Sequence, residues 1–311
     1  MEAYRQLEVK LAEWIETHPR QMVACSSGTA ALHLALETLR SEFTGPVVVP
    51  DYTMVACARA VTLADRRCVF VGCRDDLLMD LDGVPESANA VMLVHIYGRQ
   101  SVPERHYPVQ IEDMAELHGP KPQINSRAAC WSFYQNKVVH GEEGGAVWFK
   151  NPRDADHARQ LRCVGFTPAH DFIHIPRGHN YRMANCLAEK IIDSLANFSQ
   201  EVTRRREVES YYDGLIPDGW RMPSRLSPWV YDLRIPHLTR SRLLASVNKL
   251  NSRDVEARAG FAPMTMQPEY HSGVTTPRTR RAYDEVMYLP LTPSLGYRDA
   301  TRAVDLLCEG V

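Results

Sequence analysis

The sequence predicts an α/β fold, a mostly parallel sheet between helices with a smaller α+β domain at its C-terminal side. Three observations predict it. The chain has 311 residues, 44% hydrophobic and 24% charged, enough to bury a sizeable core and to divide into two domains. Short, wholly apolar runs alternate with helical or loop segments up to about residue 150, the pattern of strands buried on both faces. The pattern then changes after Asn151, where long helical periodicities and Pro-bounded strands take over.

Taken in order, apolar residues at helical spacing (Leu7, Leu11, Trp14, Ile15) predict an opening amphipathic helix from Tyr4 to about Thr17. Seven strands are predicted: Met22–Cys25, Pro46–Val49, Cys68–Val71, Ala90–His95, Val109–Ile111, Ala128–Ser132 and Gly145–Phe149, with a helix from Thr29 to Arg40 between the first two. Residues 152–163 read as a helix, 164–180 as a Pro/Gly/His-containing loop, and Met183 to Tyr212 as one long helix. Strands at Trp229–Ile235 and Val255–Arg258 and helices near 240–250 and 297–308 complete the smaller domain. The division is placed at 1–200 for the large domain and 201–311 for the small one.

Bulk properties exclude several classes. A formal charge of -2 and a pI near 6.6 advertise no surface for nucleic acid or acidic membrane. The eight cysteines form no Cys-x-x-Cys pair and sit mostly in apolar runs. They read as reduced thiols packed as small hydrophobes, Cys25 and Cys130 among them. The charged N-terminus lacks the apolar core of a signal peptide, and no run is long enough to span a membrane. A soluble cytoplasmic protein is expected.

Three elements carry candidate chemistry. Cys25-Ser26-Ser27-Gly28-Thr29 ends a strand, turns and opens a helix; such a turn aims backbone N–H groups and the positive end of a helix dipole at one spot suited to a phosphate. The same residues read equally well as an ordinary N-cap. Glu112-Asp113 closes an apolar strand, where α/β enzymes place functional carboxylates, though two acids capping the next helix would look alike. Lys137 follows the aromatic segment Trp131-Ser132-Phe133-Tyr134 and precedes Gly141-Glu142-Glu143-Gly144-Gly145. Desolvation there would lower its amine pKa and favour imine chemistry, whereas an isolated lysine is more often a surface charge.

In combination and order, these elements resemble the fold-type-I pyridoxal-phosphate (PLP) sugar aminotransferases, the DegT/StrS group. Val48-Val49-Pro50-Asp51-Tyr52-Thr53, Val94-His95-Ile96-Tyr97-Gly98, Gly178-His179-Asn180-Tyr181-Arg182-Met183, Val255-Glu256-Ala257-Arg258, Ala262-Pro263-Met264 and Leu289-Pro290-Leu291 extend the likeness over about residues 20–310. Glu112 to Glu116 and Asn136-Lys137 are similar to the perosamine synthase branch. That branch transfers an amino group from glutamate to C4 of a nucleotide-linked 4-keto sugar. The resemblance implies that Lys137 carries PLP as an internal aldimine and shuttles a proton, and that Asp113 pairs with the pyridinium nitrogen. It also implies that Gly28, Thr29 and Ser132 hold the phosphate, that Glu116 lies near the O3′ edge, and that Met54 stands where a stacking aromatic is usual. Asn180 would reach the phosphate of a neighbouring subunit, making a homodimer with shared sites.

Four features depart from the family pattern: the short segment ahead of the first helix, Met54, Thr265 in place of a histidine, and the altered Gly141–Gly145 turn. They leave open a second expectation, a PLP enzyme of another reaction type such as a decarboxylase acting on a carrier- or nucleic-acid-linked amino acid. His170, His174 and His179 share a loop with Asp171, but their spacing fits no zinc template, so no metal is expected. Arg204-Arg205-Arg206 reads as a solvated helix face, and Arg278, Arg280 and Arg281 as part of an exposed loop.

Overall fold

The structure, a computed structural model, describes residues 2–169, 171–271 and 274–309. The chain opens with helix α1 (Ala3–Trp14). It continues through β1 (Met22–Cys25), α2 (Gly28–Thr38), β2 (Val47–Pro50), α3 (Val55–Leu63), β3 (Cys68–Val71), β4 (Ala90–Val94), β5 (Val109–Asp113), β6 (Ala128–Ser132) and β7 (Gly145–Phe149). All seven predicted strands are present, shifted by a residue or two at their ends. They form one sheet in the order β1-β7-β6-β5-β4-β2-β3. Neighbours from β3 to β6 run parallel, and β7 is antiparallel to both β6 and β1.

The consequence is geometric. With β7 the single reversed strand, the carboxyl ends of the other six lie along one edge of the sheet. The segments after β1 (Gly28), β2 (Asp51 to Met54), β4 (His95 to Gly98), β5 (Met114 to Glu116) and β6 (Phe133 to Lys137) therefore emerge together. In open α/β sheets this edge is where ligands bind.

Two glycines make that edge possible. A Cβ on Gly145 would run into the Ser27 carbonyl, so only glycine lets the β6–β7 hairpin close against the end of β1. Gly98 has φ +79° and would drive a Cβ into the Ser227 carbonyl.

Beyond β7 lie α4 (Pro152–Arg162), α5 (Asn185–Ala196), α6 (Phe198–Leu215), β8 (Tyr231–Arg234), α7 (Arg240–Asn251), β9 (Arg258–Ala259), α8 (Pro277–Glu285), β10 (Val286–Leu289) and α9 (Tyr297–Cys308). The last three strands pair antiparallel as β8-β10-β9 over a core that includes Tyr212, Leu233, Leu243, Met287 and Leu307. No helix among the described residues is long and apolar enough to cross a membrane.

Four expectations are corrected. The single helix from Met183 to Tyr212 is two, broken at Asn197, whose side chain turns back to bond the Asp193 carbonyl at 2.9 Å. The strand at Val255–Arg258 shrinks to Arg258–Ala259, because both backbone groups of Ala257 are taken by the Asn251 side chain. Arg278, Arg280 and Arg281 lie on α8, started by a Thr276 cap and Pro277. Arg205 is buried rather than solvated, paired with Glu201 and bonded to the carbonyls of Trp229 and Leu291.

The two sheets are joined by buried charge. Asp232 on β8 accepts two bonds from Arg99, at 2.8 and 3.0 Å, and one from Arg225 at 2.8 Å; Arg225 also reaches Glu209 at 2.9 Å. Burial alone would raise the Asp232 pKa, yet the two guanidiniums hold it below the usual value. Removing the carboxylate leaves Arg99 buried without an ion-pair partner and Arg225 with Glu209 alone. Asp232→Ala is expected to lose about 3–5 kcal/mol of unfolding free energy, measured by urea denaturation. A loss under about 1 kcal/mol, the scale of a surface pair, would show that the cluster does not couple the sheets.

Candidate active site

The end of β5 separates its two acids by the alternation of strand side chains. Glu112 accepts from Gln123 at 2.7 and 2.9 Å and pairs with His95 at 2.8 Å. Burial pushes its pKa up, but those bonds more than offset it and hold it low. It is a structural anchor for the turn after β4. Asp113 faces the other way, 6% exposed. Its Oδ1 accepts from the Ala115 N–H at 2.9 Å and its Oδ2 from the Cys57 thiol at 3.0 Å.

Lys137 comes from the β6–β7 hairpin, which is closed by Gln135 N–H to Glu142 and Gly141 N–H to Phe133. The side chain is 9% exposed. Its Nζ sits 3.8 Å from the centre of the Trp229 ring, with no hydrogen bond or ion pair to any described residue. The Trp229 indole N–H bonds the Asn136 carbonyl at 2.8 Å, so the same ring fastens the hairpin. Burial lowers the lysine pKa; the charges of Glu116 and Asp113 oppose that shift without cancelling it.

Glu116 completes the group. Its Oε2 accepts from the Tyr97 N–H at 2.6 Å, and Tyr97 adopts a left-handed backbone (φ 49°, ψ 33°) to present that N–H. Burial pushes the Glu116 carboxyl up to about 7, with Lys137 pulling the other way. Nearby His118 is driven down to about 3, first by burial and then by Lys137; it is neutral and accepts the Val139 N–H at 3.1 Å.

Gly28 and Thr29 open α2. The N-cap is Ser27, whose hydroxyl accepts from Ala30 N–H at 3.1 Å, so the cap and the anion-site readings of this turn are compatible. A Cβ on Gly28 would lie 2.7 Å from the Ser132 Cβ, which puts the helix N-terminus directly against Ser132. Met54 is 49% exposed and its sulfur caps α3. Asn180 is exposed, bridged to Cys163, and bonded to none of the other candidates.

Thr265 does not point into open space. Its hydroxyl bonds both Asp51 oxygens at 2.9 Å and its N–H bonds Oδ1 at 2.8 Å, latching the segment before α8 to the end of β2. His170 lies outside the described residues, and among those described no His/Cys/Asp/Glu cluster could hold a metal. A cavity of about 440 Å³ opens beside Lys137, walled by Arg204, Trp229, Arg258 and Tyr288. Cys57, Tyr97, His118 and Trp229 were not predicted as site residues, because each arrives through a contact made far along the chain.

Comparison with known proteins places this geometry. The DegT/DnrJ/EryC1/StrS aminotransferase family matches residues 2–308. A GDP-perosamine synthase of Caulobacter vibrioides is 28% identical over 280 residues, covering 81% of this chain and 74% of its own. The dTDP-3-amino-3,4,6-trideoxy-alpha-D-glucose transaminase of Micromonospora megalomicea is 29% identical over 318 residues, covering 92% and 84%. Spr1654 of Streptococcus pneumoniae in its PLP form shares the fold, with a TM-score of 0.87 at 18% identity over 99% of this chain and 92% of its own.

Glu116 also makes stability depend on pH. Below about 4.5 the group is protonated folded and unfolded alike. Between about 4.5 and about 7 the unfolded chain releases a proton that the folded protein keeps, so the Glu116 contribution to stability falls through that window and then levels, against the rise that buried, neutral His118 contributes below about 6.5. The loss is at most about 3 kcal/mol at about 1.4 kcal/mol per unit. Glu116→Gln should gain stability relative to the parent as pH rises from about 4.5 to about 7 in urea unfolding of the cofactor-free protein; a difference that does not change with pH would remove Glu116 as the source of this contribution.

Proposed function

The chain belongs to the DegT/DnrJ/EryC1/StrS aminotransferase family, and on that premise we propose that it is a PLP enzyme moving an amino group from glutamate to a nucleotide-linked keto sugar. The observation that carries this reading is Lys137: buried, without a hydrogen-bond or ion-pair partner among the described residues, its pKa lowered, at the ligand-binding edge of the sheet. A buried amine with no bonded partner is costly and is kept where its reactivity is used.

The residues fit the cofactor. Gly28 lets the start of α2 lie directly against Ser132, a closeness that any Cβ would prevent. The Ala30 and Ala31 N–H groups are taken by Ser27, while those of Gly28 and Thr29 have no acceptor among the described residues, as a phosphate-binding helix start requires. When bound, PLP supplies an electron sink for charge developing beside the substrate nitrogen.

Lys137 would hold the cofactor through its amine and, once displaced, carry a proton between substrate carbon and cofactor carbon. Its lowered pKa favours the neutral, proton-accepting form. Asp113 would keep a proton on the ring nitrogen. Glu116 would lie at the hydroxyl edge, Met54 over the ring face, and Gly28, Thr29 and Ser132 around the phosphate. Asn180, free of the chain's own site, suits a role in a second copy's site, and a homodimer follows. The cavity walled by Arg204 and Arg258 gives room and positive charge for an anionic substrate. We place the smaller lobe from about residue 201 onward.

Near-ultraviolet and visible absorption of the protein loaded with PLP tests the reading. Glutamate should convert the cofactor band and a keto sugar nucleotide restore it, and Lys137→Ala should fail to show either change. A band indifferent to glutamate would favour decarboxylation, and no band at all would overturn the proposal. Gly28→Ala should weaken PLP binding tenfold or more, about 1.4 kcal/mol, and lower Tm as well, because the added Cβ forces the start of α2 away from Ser132. Undiminished affinity would exclude the α2–Ser132 cradle as the phosphate site.

A further inference from the structure

Asp113 is the carboxylate on which the proposed chemistry turns, and a strand end does not by itself fix how a carboxylate rotates. Two bonds fix it here. The Ala115 N–H holds Oδ1 at 2.9 Å, and the Cys57 thiol holds Oδ2 at 3.0 Å. Cys57 sits in the first turn of α3 with no exposure to solvent. Its sulfur is itself placed by the Thr53 hydroxyl at 3.3 Å, and its backbone N–H by the Met54 carbonyl at 3.2 Å. Among the described residues no other cysteine has a sulfur hydrogen-bonded to a carboxylate. Cys25 donates to the Ser27 carbonyl and Cys68 to that of Ala58.

We propose that Cys57 is a positioning residue for Asp113, its thiol locking the carboxylate in the rotation that presents a free lone pair to the cofactor's ring nitrogen. The inference rests on the reading of Asp113 given above. An ionised carboxylate has about four acceptor positions, so the two bonds observed leave room for a third donor. Burial and the adjacent Asp113 charge raise the thiol pKa well above its ordinary value, which keeps the donor protonated. A thiol is also a weak donor. It orients Asp113 while drawing little of the negative charge that a pyridinium needs opposite it. The other titratable groups facing Asp113 are Cys130 on β6, Glu116 beyond β5 and Lys137 on the hairpin; none of them is hydrogen-bonded to it.

The test compares Cys57→Ala, Cys57→Val and Cys57→Ser with the parent, each loaded with PLP. Two quantities are read, the dissociation constant for PLP and the pH midpoint of the bound cofactor's absorption change. A cation on the ring makes the lysine–cofactor nitrogen less basic. Losing the thiol donor should therefore move the midpoint upward by about half a unit and weaken binding several-fold. Serine, which also donates, should restore much of both. Valine fills the space without donating and replaces alanine if the smaller side chain fails to fold. Asp113→Asn is measured alongside. A midpoint unmoved in the alanine and valine variants but shifted in Asp113→Asn would overturn the role of Cys57 and leave that of Asp113 standing. Both unmoved would overturn the two together. A lowered Tm with no midpoint shift would make Cys57 a packing residue, which also overturns the proposal.

Discussion

Burying the amine of Lys137 is the constraint around which the rest of the structure is arranged. An ammonium removed from water is costly unless nearby charge or ring electrons replace its solvation. Here the compensation is partial. The Trp229 face lies 3.8 Å away, Glu116 and Asp113 act through space, and neither carboxylate forms an ion pair with it. The result is a lowered pKa, a shift toward the neutral amine that the proposed chemistry calls for.

Partial compensation requires the neighbours to be held apart as well as near. Asp113 is committed to Cys57 and Ala115, and Glu116 to the Tyr97 N–H. The left-handed turn at Tyr97 and the glycine at 98 exist to deliver that N–H to Glu116 and to let the Ser227 carbonyl approach. Trp229, immediately ahead of β8, closes the arrangement from the side of the smaller sheet. The Arg99–Asp232–Arg225 cluster fastens the segment that carries it. Stability and reactivity are therefore linked through the same interface.

Much of this was legible in the sequence. Uninterrupted apolar runs such as Ala90–Val94 reveal buried parallel strands, because a strand covered on both faces has no polar side to alternate with. Lys137, Asp113 and the Ser27-Gly28-Thr29 turn follow their strands closely, so their place at the sheet edge comes with the strand. What was misread lies where a side chain far away overrides local pattern. Asn197 looks like any polar residue on a helix until its amide bonds the Asp193 carbonyl. Arg205 reads as one of three exposed arginines, but the carbonyls of Trp229 and Leu291 wait for it inside. Thr265 stands out in the sequence only as a departure from the family pattern, and its commitment to Asp51, 214 positions away, is made in space.

The class of fold, the family and a set of candidate site residues could be read from the chain alone, because strand periodicity, turn glycines and motif order are local properties of a chain. Folding in space was needed to settle which of the two acids in Glu112-Asp113 is anchored to His95, that a cysteine rather than a second acid is hydrogen-bonded to Asp113, and that an indole faces the lysine. The physical reason is that desolvation and hydrogen-bond commitment belong to neighbourhoods in space, assembled here from β2, β4, β5, β6 and the segment before β8. No stretch of sequence contains them.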